Sequence, residues 1–187
     1  MNDKITRMQK HFIILFLLIT VLSSCNAAPK GEVEFKLPEG FEKIYHKNKE
    51  NGSFDKEYVP EGQTLANWDQ IIRYIYQPVK GDLREQFSEL VKLLANSCEE
   101  PFAPQPFSGK LGGYNSINAM FACGSKSGAS YGEITQYIFV HGENGIYSLQ
   151  RAKRISKFKT DETNKIIKKE FDEEWNEFFS SVKFKSK

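Results

Sequence analysis

Three cysteines are the residues whose type and spacing limit the chemistry of this chain most clearly. Cys25 follows an apolar stretch, whereas Cys98 and Cys123 lie far from it and from each other. None of them has the Cys-x-x-Cys or histidine spacing of a tetrahedral metal site. The wide separation also argues against a redox-active dithiol. We therefore predict no metal and no cofactor, and the odd cysteine count leaves one thiol to be explained.

The histidines, serines and carboxylates do not form a recognisable catalytic set. His46 and His141 stand alone near predicted turns, where a hydrolase would need a carboxylate or serine within hydrogen-bond reach. The run Gly124–Gly128 lacks the order of a phosphate-binding loop, and there is no Gly-x-Ser-x-Gly elbow. The acidic side chains of 172–174 would diverge on a helix because they are consecutive. No catalytic residue is predicted, and a hydrolase using His46 or His141 is kept as the alternative.

The overall charge balance excludes one class of partner. The 187 residues include 26 basic and 24 acidic side chains, a net charge of +2, with 40% apolar and 27% charged residues. Nucleic-acid binding relies on a concentrated basic surface, so no nucleic-acid partner is predicted. Residues 1–24 hold three of the basic and one of the acidic side chains. The remaining 163 residues therefore carry no net charge.

Residues 1–24 have the pattern of a secretory signal peptide. Lys4, Arg7 and Lys10 precede the eleven-residue stretch Phe12–Leu22, which contains a single hydroxyl. A helix of that length measures about 16 Å, whereas the hydrocarbon core of a bilayer is about 30 Å thick. The basic start, the short apolar core and the small residues after it predict export rather than a membrane span.

The end of this segment, Leu22-Ser23-Ser24-Cys25, resembles the lipobox of bacterial lipoproteins. The resemblance implies that the Cys25 thiol receives a diacylglycerol, that signal peptidase II cuts before it, and that the new amine is acylated. Two or three acyl chains hold a protein firmly on a membrane. Asn26 at the next position implies the outer membrane, facing the periplasm, where an organism has two membranes. An ordinary signal peptide cut after Ala27 or Ala28 is the alternative.

Lipidation of Cys25 would explain the odd thiol and leave Cys98 and Cys123 as a pair. An exported protein meets an oxidising compartment, where such pairs form disulfides. A bridge between them would close a loop of about 25 residues and stabilise the fold by roughly 3 kcal/mol. We predict a structural disulfide.

The elements that must position these residues follow from periodicity and from capping. Residues 25–40 are predicted to be a lipidated flexible tether, and 41–187 a single domain. Asp82 and Asp161 would cap amphipathic helices that end near 97 and 182, and the tail after 182 is expected to fray. Strands are predicted at 41–46, 54–59, 68–76, 114–123, 131–141 and 146–154. The fold class is therefore α+β, an antiparallel sheet of about five to six strands packed against two amphipathic helices.

This element order resembles the fold shared by Mog1 and PsbP. The run Glu57–Thr64, Glu-Tyr-Val-Pro-Glu-Gly-Gln-Thr, followed by Trp68, also resembles a pattern in small exported bacterial proteins. Neither resemblance implies any catalytic residue.

Tyrosines on the predicted strands are the remaining candidates for function. Tyr74, Tyr76, Tyr137 and Tyr147 would form a binding surface if they share an uncovered sheet face, and would otherwise line the core. We predict a membrane-anchored envelope lipoprotein with a non-enzymatic binding or structural role and an envelope protein as its partner. An immunity or secretion-associated lipoprotein is a special case. Transport of a ligand in an apolar cavity is a further alternative.

Overall fold

The computed structural model describes residues 29–79, 81–102 and 106–186. The predicted signal peptide and the lipobox with Cys25 lie outside these residues. Within them, one large antiparallel sheet carries helices on both faces. The fold class is α+β, as the sequence predicts.

The described residues form ten strands, all paired antiparallel. Eight of them make one sheet in the order β2-β3-β4-β9-β8-β7-β5, with β6 also paired to β7, and β1 and β10 form a separate pair. The bounds are β1 Gly31–Glu34, β2 Phe41–Asn48, β3 Phe54–Pro60, β4 Gln70–Gln77, β5 Pro101–Phe102, β6 Phe107–Leu111, β7 Tyr114–Cys123, β8 Tyr131–His141, β9 Ile146–Ser156 and β10 Lys183–Ser186. The six predicted strands correspond to β2, β3, β4, β7, β8 and β9. The predicted number was too low because the short strands β1, β5, β6 and β10 were not predicted.

The first helix, α1, spans Leu83–Asn96 and covers one sheet face. Asp82 caps it, since its side chain accepts a hydrogen bond from the Arg84 N–H at 2.6 Å. Leu83 and Phe87 are buried against aliphatic and aromatic side chains of β7 and β8. This sheet face is called the α1 face below.

The predicted helix from Asp161 to 182 is wrong as a single element. A 3₁₀ turn at Thr160–Glu162 leads into α2 (Thr163–Glu170), and α3 (Glu173–Ser180) follows after a break. Asp172 causes the break: its backbone is extended, and its side chain accepts from the Trp175 N–H at 3.0 Å, which starts a new helix. Trp175 and Phe178 are buried on the opposite sheet face, called the α3 face.

Both ends of the domain differ from the prediction in the same way. Gly31–Glu34, in the predicted flexible tether, and Lys183–Ser186, in the tail predicted to fray, pair with each other as β1 and β10. The pairing satisfies their backbone groups, while Val33 and Phe184 are buried in the core of the α3 face. The folded domain therefore begins before residue 41. No helix within the described ranges is long and apolar enough to cross a bilayer.

Candidate binding groove at one end of the sheet

The loop between β3 and β4 is built by the motif that the sequence singles out. Gly62 adopts a φ of +78°, which favours glycine. The Gln63 side chain donates to Asp69 Oδ2 at 3.0 Å and accepts from the Asp69 N–H at 2.7 Å. Thr64 and Asn67 exchange backbone hydrogen bonds, each of 3.1 Å. These contacts close the loop on itself and fix the position of Trp68 within it.

Trp68 faces an arginine that is held between two aromatic rings. The guanidinium of Arg154, near the end of β9, lies 3.9 Å from the ring centroid of Trp68 and 4.5 Å from that of Tyr131. Its Nη1 donates to the Trp68 carbonyl at 3.1 Å, and its backbone N–H donates to the Asp69 carbonyl at 2.8 Å. Stacking and hydrogen bonding together give the guanidinium a fixed orientation.

These three side chains line an open groove of about 710 Å³ at one end of the sheet. We call it the end groove, and its rim also includes Ser130 and Glu170. Ile155 contributes an aliphatic side chain to the same lining. The groove thus presents aromatic, apolar and hydrogen-bonding groups side by side, a composition typical of protein-binding surfaces.

Tyr131 is positioned by a loop that is fastened to α1. Cys98, just after α1, forms a disulfide with Cys123 at the end of β7, with a Cα–Cα distance of 5.7 Å. The Ser127 N–H donates to the Ser97 carbonyl at 3.0 Å, and the Lys126 N–H donates to the Tyr131 carbonyl at 3.1 Å. The disulfide pairing is the one that the sequence predicts, and it ties the end of α1 to β7, the strand that precedes the loop leading to Tyr131.

Arg73 and Arg154, which point to the same face of the sheet, differ in their counter-charges. Arg73, on β4, pairs with Glu57 at 2.6 Å and with Asp55 at 3.1 Å. Arg154 has no carboxylate oxygen within 4 Å in the described part of the chain. Its charge is therefore compensated by rings and a carbonyl alone.

Two carboxylates in the neighbourhood of Arg154, Glu133 and Glu170, are engaged elsewhere. Glu133 is its cross-strand neighbour on β8, but it pairs with Lys126 at 3.4 Å and accepts from the Thr135 hydroxyl at 3.2 Å. Glu170 accepts from Lys153 at 2.8 Å and contacts Lys169 at 3.0 Å. The hydrogen bond from Lys153, followed by that from Lys169, holds the pKa of Glu170 below its usual range.

The predicted tyrosine surface is wrong. Tyr74, Tyr76, Tyr137 and Tyr147 are only 3%, 0%, 6% and 1% exposed, because helices or the β1–β10 pair cover both sheet faces. The Tyr74 and Tyr147 hydroxyls accept hydrogen bonds from the N–H groups of β1 at 2.9 and 3.0 Å. Burial raises the pKa of Tyr147 to about 12. The four tyrosines are core residues.

Within the part of the chain that the structure describes, neither His46 nor His141 pairs with a carboxylate or a serine. His46 is exposed on β2, and its ring contacts the Asn48 side chain at 3.1 Å. His141, at the end of β8, makes no side-chain hydrogen bond within the described ranges.

Among those same residues, no three metal-ligating side chains cluster. An apolar cavity between α1 and the sheet measures about 30 Å³, room for water-sized molecules only.

Sequence reasoning missed Arg154 as a candidate site residue, and it placed Tyr131 among the strand tyrosines without connecting it to Trp68. Trp68 follows the Glu57–Thr64 motif, whereas Tyr131 and Arg154 come from two other segments of the chain. The pairing of β8 with β9 places Tyr131 opposite Ser156, near Arg154, and the hydrogen bonds from Arg154 to the Trp68 and Asp69 carbonyls bring Trp68 beside them.

Comparisons with known proteins identify the fold. No family model matches the sequence, and no curated protein matches it. The solved structure of the Ran-binding protein Mog1p of Saccharomyces cerevisiae has a TM-score of 0.51 at 13% identity, covering 82% of this chain and 89% of that one. A point mutant of Mog1 gives a TM-score of 0.50 at 13% identity, covering 82% and 90%.

A third similar structure is LpqN of Mycobacterium tuberculosis, described as involved in cell envelope biogenesis. It has a TM-score of 0.39 at 10% identity, with 82% of this chain and 83% of that chain covered. At such identities only the fold is shown. The chain adopts the Mog1-like fold that its element order predicts.

Proposed function

We propose that this chain is a non-enzymatic envelope protein, anchored to the membrane by lipid on Cys25, that binds a protein partner at the end groove. The observation that carries the proposal is the arginine stacked between Trp68 and Tyr131 at an open surface. Tryptophan, tyrosine and arginine are the residue types that contribute most to binding at protein interfaces. An immunity or secretion-associated role is a narrower form of the same proposal.

The shared fold is compatible with this role. Mog1p is described as a Ran-binding protein, so one protein of this fold binds another protein. The mature chain carries no net charge, which favours a local contact over long-range attraction to a polyanion.

The position of the groove suits an anchored protein. The Gly31 N–H donates to the Tyr147 hydroxyl at 3.0 Å, and Lys30 pairs with Glu143 at 3.8 Å, so the chain enters beside the β8–β9 turn. The end groove lies at the other end of β8, which spans eleven residues, or about 33 Å. The six Cα-to-Cα steps from Cys25 to Gly31 reach at most about 22 Å. An anchor at Cys25 would leave the groove facing away from the membrane.

The anchor is tested by labelling cells with a fatty-acid analogue. The wild-type chain is expected to take up label, and Cys25→Ser is expected to lose it and leave the membrane fraction. Label retained by the serine variant would contradict the anchor and leave the binding proposal untouched.

The binding site is tested by photo-cross-linking in cells. A photoreactive residue at Ser130, exposed on the groove rim, is compared with one at Glu50, exposed at the opposite end of the sheet. We expect a discrete protein adduct from Ser130 and none from Glu50. The same adducts from both positions, or none from Ser130, would contradict binding at the end groove.

A further inference from the structure

The end groove contains an arginine whose hydrogen-bonding capacity is only partly used. Nη1 of Arg154 donates to the Trp68 carbonyl, while Nε is buried with no hydrogen-bond acceptor within the described ranges. Nη2 makes no hydrogen bond to the described residues and is not among their buried atoms. The guanidinium therefore presents an unused donor to the groove.

The stacking keeps Arg154 from its own carboxylate neighbour. Glu133 lies opposite it on β8, yet the guanidinium turns toward Trp68 and Glu133 turns toward Lys126. An arginine fixed in its plane loses little further entropy on binding, and its fork matches the geometry of a carboxylate. The groove is thus preorganised for an acidic group supplied from outside.

We propose that the end groove recognises a single carboxylate side chain, an aspartate or glutamate, on the protein partner. This inference rests on the proposed function. Asp69 is exposed on the groove wall and Glu170 lies at its rim, so the groove combines one uncompensated cation with carboxylates of its own. Such a balance accepts one carboxylate and repels a densely charged polyanion or an anionic membrane.

The test is a titration of the full mature chain in detergent, followed by NMR at the Trp68 indole and the Arg154 Nε–H. The probes are a leucine-flanked tripeptide centred on glutamate, acetylated at its N-terminus and amidated at its C-terminus so that the glutamate holds its one carboxylate, the same blocked peptide centred on glutamine, inorganic phosphate, and phosphatidylglycerol vesicles. We expect the glutamate peptide to bind at least ~10-fold more tightly than the glutamine peptide. Phosphate and vesicles are expected to leave both signals in place.

A variant series then assigns the effect to the guanidinium. Arg154→Lys keeps the charge but lacks the planar fork, so we expect it to lose most of the preference for glutamate. Arg84→Gln is the matched control, since Arg84 is exposed at the start of α1 and should keep wild-type binding. The peptide comparison uses the wild-type chain, so it does not depend on how a variant folds.

Four results would overturn the inference: equal binding of the two peptides, no response to the glutamate peptide, a stronger response to phosphate or vesicles, or wild-type preference in Arg154→Lys. The Ser130 cross-link distinguishes failure of carboxylate recognition from failure of the proposed binding at the end groove. An adduct that persists in Arg154→Gln would retain the binding site and reject carboxylate recognition. Absence of the adduct in the wild-type chain would reject both.

Discussion

Arg151 and Arg154 lie three residues apart on β9, yet they point to opposite faces of the sheet and have different surroundings. Arg151 is 1% exposed on the α3 face, where it pairs with Glu174 and donates to Gln70 at 2.8 Å. Its guanidinium lies 4.8 Å from the ring centroid of Trp175. Arg154 also stacks on a tryptophan, but it lies at an open groove, and no carboxylate oxygen of the described residues is within 4 Å of it.

The difference separates a structural arginine from one available for binding. A charge taken out of water needs partners, and the Arg151 guanidinium finds a carboxylate and an amide within the fold. Arg154 stacks on aromatic rings as Arg151 does, but it has no ion pair with a carboxylate of the described residues. Variants at the two sites should therefore affect different properties, stability at the first and binding at the second.

The largest contrast is expected between the two tryptophans. Trp175 is 1% exposed and its indole N–H donates to Gln136 at 2.8 Å, so Trp175→Ala should lower the free energy of unfolding by about 3–5 kcal/mol. Trp68 is only half-buried, so Trp68→Ala should cost about 1–2 kcal/mol. Urea denaturation of the two variants measures both values. Equal losses would contradict the distinction between the sites.

Removal of the disulfide should weaken the groove end of the sheet more than the α3 face. Replacing Cys98 and Cys123 together with alanine is expected to lower the free energy of unfolding by about 2–4 kcal/mol, because the bridge no longer restricts the unfolded chain. Hydrogen exchange should accelerate more in the loop 124–130 than in α3, because the loop also loses its local attachment to α1. Uniform acceleration in both regions would show that the bridge does not act on the groove wall specifically.

The two arginines allow a smaller and more direct comparison. Arg151→Met removes hydrogen bonds to a charged group, which should cost about 1.5–3 kcal/mol. Arg154→Met removes cation–π stacking, worth about 0.5–1 kcal/mol at an exposed site. Thermal unfolding measures both, with Arg84→Gln as the neutral control. A greater loss of stability at Arg154 would reverse the assigned roles.

The smallest expected effect is the pH dependence of the free energy of unfolding that comes from Glu170 at the groove rim. Lys153 and Lys169 lower the pKa of Glu170 from 4.5, so the folded state binds that proton less readily than the unfolded state. The stabilisation is therefore present at neutral pH and is lost as the pH falls below about 4.5 through the lower pKa of the folded state. Glu170→Gln should cost about 1 kcal/mol or less at pH 7 and nothing at pH 2. Urea midpoints that differ equally at both pH values would contradict this.

Periodicity in the sequence was enough to predict the main strands and α1, since each has a regular apolar pattern. It was not enough for β10: its four residues, Lys-Phe-Lys-Ser, become a strand only by pairing with β1. The sequence does contain a signal for the break before α3. Asp172, a good capping residue, stands three positions before Trp175, inside a pattern that reads as one helix.

The candidate site was harder to predict than the fold for a physical reason. Tyrosines in strands fit an exposed sheet face and a covered one equally well, and here helices or the β1–β10 pair cover them. The end groove depends on residues from three segments, Trp68, Tyr131 and Arg154, which only the sheet register brings together. The lack of a carboxylate within 4 Å of Arg154, among the described residues, depends on how the side chains are oriented. A sequence pattern does not contain that information.

The most direct test of binding at the end groove is the photo-cross-link from Ser130, measured in cells that carry either the wild-type chain or Trp68→Ala. We predict a discrete protein adduct in the wild-type chain, its loss in Trp68→Ala at unchanged protein level, and no adduct from Glu50 in either. An adduct of equal yield in Trp68→Ala would show that the partner does not depend on the groove, and would contradict the proposed function.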